Sequence, residues 1–471
     1  MTQPSFFVKL AIAMKKYFGD KKFYKMVMAV AIPIVIQNAI SNFVNMLDNI
    51  MVGQVGTEQM SGVAIVNQLI FVYNLAIFGA ISGPGIFTAQ YVGQKNDKGV
   101  RYTVRFKLIL SVVISVASIL LFTLFDNTLI GWFLHDNGDG LDLMATLGYA
   151  KSYLKVMLVG LLPFALTNSY AGTLRESGET KVPMYAGLTA VFVNLVLNYI
   201  LIFGKLGIPA MGVVGAAVAT VISRYVELLI VMVWTHTHKE RAAFAVGLYK
   251  GFFIPGDLCW KIIKTGSPLF FNEFLWSLGM SAITQCYSTR GLQVIAAFNI
   301  SNTISNLFNV VLISMGNVVA IIIGQILGSG DTKEVVDTDR KLITLAVLAS
   351  AAMAMLLMIL APLFPKFYNT TDDIRNLSVR LMRTVAIFFP MHAFLNAAYF
   401  TLRSGGKTFI TFLFDSAFLW VISWPVAYVL SRFTAITIIP LYAIVLSVEV
   451  IKVVLGAILL KKRIWIQDLV A

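Results

Sequence analysis

The stretch Thr173-Leu174-Arg175-Glu176-Ser177-Gly178-Glu179-Thr180 returns 228 residues later as Thr401-Leu402-Arg403-Ser404-Gly405-Gly406-Lys407-Thr408. The same offset takes Asn168 to Asn396. Nearer the start the offset is 235: it takes Pro33 to Pro268, Asn38 to Glu273, Gly56 to Gly291, Asn67 to Asn302, Asn74 to Asn309, Gln90 to Gln325 and Gly93 to Gly328. Any single Gly or Asn match is a common coincidence. Matches that keep their order under two offsets mark an internal duplication.

The sequence between these marks is greasy. Of 471 residues, 58% are hydrophobic and 13% charged, and the mean hydropathy is +0.80. A soluble domain is about half apolar and about a quarter charged, so a soluble protein is excluded. The net charge of +14 has no exposed polar face on which to bind nucleic acid, and instead marks cytoplasmic membrane edges. Apolar runs of spanning length lie near 27–52, 61–87, 106–126, 148–172, 183–204, 210–234, 262–288, 294–327, 341–363, 380–403, 409–430 and 436–460. The reading is an all-α integral membrane protein of twelve transmembrane helices. Six spans separate the two copies, so both halves run in the same direction and are related by a pseudo-twofold axis along the membrane normal. The expected division is 1–235 as an N-terminal six-helix lobe with an amphipathic lead-in, 236–261 as an inter-lobe loop, and 262–471 as a C-terminal six-helix lobe. Parallel duplicated lobes imply a cavity between them that opens alternately to either side, the layout of a secondary transporter.

Charge sets the orientation. The even-numbered connections carry Lys95, Lys98, Arg101, Arg105 and Lys107, then Arg175 and Lys181, then Lys239, Arg241, Lys250, Lys261 and Lys264. The segment from Asp126 to Asp142 holds Asp126, Asp136, Asp139 and Asp142 and no Lys or Arg. The positive-inside rule therefore places both termini in the cytoplasm. Cys259 and Cys286 lie about one membrane thickness apart and imply no disulfide.

Enzyme chemistry finds no foothold. No phosphate-binding glycine loop is present, no His pair stands at metal spacing within a span, and no nucleophile–base pair is readable. His135 and His392 read as single hydrogen-bonded histidines, and His236 and His238 as loop residues. No resident cofactor is expected.

Ionisable groups inside the spans are the informative ones, because a charge near the bilayer centre costs about 3 kcal/mol or more unless partnered or wet. Arg224 with Glu227, and Glu449 with Lys452, stand three apart on one face and read as self-neutralising pairs. Asp415 follows a cytoplasmic turn closely and reads as a headgroup-level residue. Asp48 and Glu273 have no basic residue within helical reach. Asn38, Asn42, Asn45 and Asn49 form one stripe with Ser41 and Asp48 on the first helix. Glu273, Ser277, Ser281 and Thr284 form another on the seventh, and Asn299, Asn302, Asn306 and Asn309 a third on the eighth. Single amides serve as helix glue, but three stripes together point to a water-filled cavity.

Asp48-Asn49-Ile50-Met51-Val52-Gly53-Gln54-Val55-Gly56, then Val92-Gly93-Gln94-Lys95-Asn96-Asp97, then Thr173-Leu174-Arg175 through Thr180-Lys181-Val182-Pro183-Met184 resemble, in order and over nearly the whole chain, the multidrug and toxic compound extrusion (MATE) transporters, bacterial type. The resemblance implies a cation-coupled antiporter expelling bulky, often cationic, organic compounds. It also implies a coupling-ion site at Asp48, Asn194, Asn198 and Thr220, the first-helix acid, the fifth-helix N-x-x-x-N pair and the sixth-helix Thr. Independently, Asn194 and Asn198 stand one turn apart on one face, and amide oxygens, a hydroxyl and a carboxylate suit a small hard cation such as sodium. This sequence departs from the sodium-coupled branch at Glu273, which lies closer to Pro268 than the family's acid, and in the tenth helix, where it offers His392, Asn396 and Tyr399. Sodium and protons both remain open as the coupling ion.

The expected function is export of small organic cations or drugs in exchange for sodium or protons by alternating access. The chain is expected to act as a monomer in the cell membrane, with no nucleic-acid partner. Asn38, Asn45, Asn67, Glu273, Ser277, Asn299 and Asn302 are the candidate substrate-cavity residues. The rival is a lipid-linked oligosaccharide flippase; its phosphate-bearing cargo would call for basic cavity residues, whereas the lining here is acidic and amide. The repeat adds an asymmetry: Asp48, Asn194 and Asn198 map onto Ile283, Ile422 and Val426, so only the first lobe is expected to hold this ion.

Overall fold

The computed structural model describes residues 16–133, 142–368 and 370–470, apart from the side chains at 45–47, 49, 50, 53, 57 and 292. Residues 1–15 of the expected lead-in, and His135, Asp136 and Asp139 of the acidic connection, lie outside these. Among the described residues the chain is helical throughout, because a bilayer satisfies no backbone hydrogen bond that the chain leaves open. Its long helices are α1 (Lys21–Gly53), α2 (Thr57–Gly93), α3 (Asp97–Leu124), α4 (Leu143–Glu176, with a short 3-10 turn inside), α5 (Lys181–Phe203), α6 (Gly212–Thr237), α7 (Gly256–Ser288), α8 (Leu292–Ser329), α9 (Thr332–Leu360), α10 (Asp372–Ser404), α11 (Thr408–Phe433) and α12 (Ile438–Lys461). Eleven of them are long and apolar enough to cross a membrane. The exception is α7, whose apolar run is diluted by Lys261, Lys264, Asn272 and Glu273.

Local chemistry fixes the helix ends. Asn96, Asp142 and Asp331 each accept a hydrogen bond from a main-chain N–H in the first turn of α3, α4 and α9, satisfying donors that a helix leaves open. At the end of α5, Gly204 takes φ +66 with Ala210 main chain against it; a side chain there would be both strained and crowded.

Several ends differ from the sequence expectation. The third helix starts at Asp97, so Lys98, Arg101, Arg105 and Lys107 are helical rather than loop charges. Arg105 donates to the carbonyls of Gly247, Leu248 and Phe253, which ties the 244–253 connection to α3.

The chain folds as two compact units: a carboxyl unit of Met1–Val35, Ala89–Lys95 and Phe271–Ala471, and an amino unit of Ile36–Thr88 and Asn96–Phe270. These are cut differently from the halves of the repeat. Helix α1 passes from one unit to the other just beyond Pro33, and α7 just beyond Pro268, each proline removing one rung of the helical ladder. Within the carboxyl unit, Val27, Ala31 and Ile34 of α1 share a core with Met315, Val318 and Val319 of α8. Within the amino unit, Gly266 of α7 lies against Gly83 of α2. The 235 offset exchanges Ala31 for Gly266 and Gly83 for Val318, so the two packings are equivalents of one another.

The carboxyl unit also contains a crossing of the ends of α2 and α8. A Cβ on Gly93 would meet the Gln325 main chain, and one on Gly328 would meet that of Gln90. The pairs are again repeat equivalents.

Candidate functional site

Helix α5 turns Asn194 and Asn198 to one face, and both are buried. Gly215 lets α6 approach the main chain of α5 at Leu201 to within 2.7 Å of where a Cβ would stand, which brings Thr220 level with Asn194. The amide nitrogen of Asn198 donates to Asp48 Oδ1 at 2.7 Å and to Asn194 Oδ1 at 3.1 Å. The Asn194 amide nitrogen faces Thr220 Oγ1 at 3.3 Å. With its amide turned over, Asn194 donates instead to both carboxylate oxygens of Asp48 at 3.0 Å. The cluster therefore has two readings of one amide: nitrogen toward the carboxylate, or oxygen toward it.

Only the second orientation gathers hard oxygens, and it is stable only with a positive charge among them. A further observation points the same way: Asn198 Oδ1 is buried without a hydrogen-bond partner, and buried polar atoms are seldom left so. Carboxylate, amide and hydroxyl oxygens form a donor set suited to sodium; a proton on Asp48 calls for the same orientation, because the acid O–H needs the amide oxygen as its acceptor. The repeat-equivalent positions differ in kind, with Ile283 buried in an apolar core and Val426 packed against it.

The other predicted residues are distributed over both units. In the amino unit, Asn38 is partly buried, and Asn67 is exposed, accepting from Tyr153 Oη at 3.4 Å. The side chain of Asn45 lies outside the described residues. In the carboxyl unit, Asn299, Asn302 and Asn306 are exposed along one face of α8, and Ser277 is half-buried on α7. Glu273 lies within Coulombic reach of Arg403 and Asp415, so the seventh-helix acid does have a basic neighbour, supplied by another helix.

Three constellations go beyond the sequence reading. Lys107 is fully buried and pairs with Glu176 at 2.5 Å, also donating to Thr173 at 3.2 Å. Arg224 donates to the Gly160 carbonyl at 3.2 Å and covers the Phe164 ring, and Arg175 as well as Arg224 lies in Coulombic reach of Glu227. The expected pair is thus part of a wider network. Likewise Lys452 stands between Glu449 at 3.7 Å and Asp415 at 3.8 Å, Asn272 donates to Asp415 at 3.1 Å, and His392 faces Glu449 at 3.5 Å. Asp415 and His392, read separately, meet in one cluster. No spacing rule joins residues of α7, α10, α11 and α12; the only signal was that each is ionisable or polar within a span.

Comparison with known proteins follows the same line. The chain is 27% identical over 413 residues to the probable multidrug resistance protein NorM of Thermotoga maritima, covering 87% of this chain and 86% of that one. It is 23% identical over 416 residues to the probable multidrug resistance protein YoeA of Bacillus subtilis, covering 86% and 87%. Its fold matches that of an outward-facing multidrug resistance MATE family transporter with a TM-score of 0.83 at 20% identity, over 95% of this chain and 97% of the other. It also matches a MOP superfamily transporter from Pyrococcus furiosus with a TM-score of 0.81 at 20% identity, over 95% and 97%. The MatE family model matches residues 33–200 and 268–429, which span most of both repeat copies, and this multi-pass membrane protein belongs to the MatE family.

Proposed function

We propose that this protein is a secondary antiporter that exports organic cations or drugs in exchange for sodium ions or protons by alternating access. It works as a monomer in the cell membrane with both termini in the cytoplasm, and as two six-helix lobes, 1–235 and 262–471, joined by 236–261. The multidrug resistance relatives support the cargo class, and the acidic and amide character of the polar helix faces supports positive charge on that cargo. Asn38, Asn45, Asn67, Glu273, Ser277, Asn299 and Asn302 are the residues proposed to meet it.

The observation that carries the coupling reading is the Asp48 cluster. A carboxylate held by Asn198 at 2.7 Å, with an amide that can present either nitrogen or oxygen, has one arrangement for the ion-free state and another for the ion-bound state. Sodium and protons compete for the same carboxylate. Binding either resets the hydrogen bonds between α1, α5 and α6, which is the bistable element that coupled exchange requires.

The test is purified protein in liposomes under an imposed sodium or proton gradient, following efflux of a fluorescent organic cation. Uphill efflux that needs one of the gradients is the expected result. Efflux indifferent to both would end the antiport reading.

A further inference from the structure

The amino unit holds the proposed coupling site; the carboxyl unit holds charges that this site does not use. Glu449 sits midway along α12, where the helix is interrupted between Ile438–Val448 and Val450–Lys461. Asp415 sits on α11 in a π-helical stretch, Leu413–Ala417, followed by a second, Leu419–Ser423. Irregular backbone at membrane depth persists where it serves a site. Both irregularities fall on the same cluster.

Its charge does not balance. Arg403 lies near Glu273, and that leaves Lys452 facing two carboxylates, Asp415 and Glu449, at 3.8 and 3.7 Å. The ammonium is further enclosed by the rings of Phe414 and Phe418, 5.8 and 5.5 Å from their centroids. The other groups facing the cluster are neutral: Asn272 from α7 on Asp415, the phenol Tyr399 of α10 near Asp415, and the phenols Tyr287 of α7 and Tyr442 of α12 near Glu449. One negative charge is left over, and an isolated charge in this setting is costly. His392 of α10, with Nε2 3.5 Å from Glu449 Oε2, is the base placed to cancel it.

We propose that His392 and Glu449 form a proton-binding site separate from Asp48: one proton, shared by this pair, completes the charge balance, and its departure makes Glu449 compete with Asp415 for Lys452. On release the proton leaves the imidazole nitrogen or the carboxyl oxygen for water, and no other bond changes. The ammonium then moves between two carboxylates, one carried on the interrupted α12 and one on the π-helical stretch of α11. This site deepens the antiport reading by supplying a second ion-binding step. Its test uses no transport, so the two fail independently.

The experiment is nitrogen-15 histidine NMR on purified full-length protein carrying Asp48→Asn, titrated without sodium or drug. The chain has four histidines, and His392→Gln assigns the relevant signal. Glu449→Gln is expected to displace the His392 midpoint by at least one pH unit, about tenfold in proton affinity. Glu449→Asp, which keeps the charge, is expected to displace it less. Tryptophan fluorescence is expected to follow the same midpoint through Trp420, whose indole N–H donates to the Leu275 carbonyl at 2.9 Å beside the π-helical stretch; Trp420→Phe should remove that signal. A His392 midpoint unmoved by both Glu449 variants would show an independent histidine and overturn the proposal. So would a pH-dependent fluorescence change that survives His392→Gln.

Discussion

Gly93 of α2 rests its bare Cα against the main chain of Gln325 on α8. The reverse pair, Gly328 against Gln90, is the same contact seen from the other copy, so one helix crossing serves both repeats. A methyl group at either glycine would press on main-chain atoms rather than on a side chain able to swing away. Overpacking of that kind costs about 1–3 kcal/mol. Gly93→Ala and Gly328→Ala are each expected to lower the thermal midpoint in detergent. Gly148, with nothing within 4 Å of an added Cβ, is the control: Gly148→Ala is expected to leave the midpoint unchanged or raise it.

At the proposed coupling site the expected losses are graded. Asp48→Asn should abolish gradient-driven efflux while the protein stays folded. Asn198→Ala removes the 2.7 Å bond to Asp48; bonds to charged groups are worth about 1.5–3 kcal/mol, so efflux at limiting ion should fall by about tenfold or more. Asn194→Ala should reduce it as well, and Ile422→Ala should do little. Liposome efflux rates at limiting sodium or proton concentration are the measurement, and Asp48→Asn protein driving uphill efflux at the wild-type rate would defeat the assignment.

Glu273 is the acid proposed to meet cargo rather than ion. Glu273→Gln keeps the size and loses the charge, so it should weaken transport of cations more than of neutral compounds. Competition assays with a matched pair of substrates read the difference. An equal loss for both would point to a structural or proton-coupling role for Glu273 instead.

Orientation is tested by labelling single cysteines in sealed cells. A probe introduced at Asn137, outside the described residues, should react with an impermeant reagent, and one at Lys239 should not. Labelling at Lys239 would overturn the twelve-span arrangement.

Much of the architecture was legible because hydropathy and repetition are properties of the line of sequence. Twelve apolar runs map onto helices α1 to α12, and the 235 offset survives as equivalent packings, Ala31 in one core with Val318 and Gly266 against Gly83. Asn194 and Asn198 were legible as one face because a helix repeats every turn. What the line could not carry is encounter between distant helices. His392 meets Glu449 across the rest of α10, the whole of α11, two connections and half of α12, and no period links them. Lys107 looked like a cytoplasmic loop charge until its partner Glu176 came to it from α4. The composition of the compact units was hidden for the same reason: hydropathy says that α1 crosses the membrane, and not that its first half packs with Met315, Val318 and Val319 of α8.

That last arrangement sets a schedule for synthesis. Val27, Ala31 and Ile34 emerge early, yet Val318, Val319 and Ala346, which cover them, follow roughly 290 residues later or more, about 15–60 s behind at ordinary elongation rates. For that interval the start of the chain is inserted but unclaimed, its future core facing only lipid. Chains that stop before α8 never supply Val318 and Val319, and the α1 face they cover stays without its core.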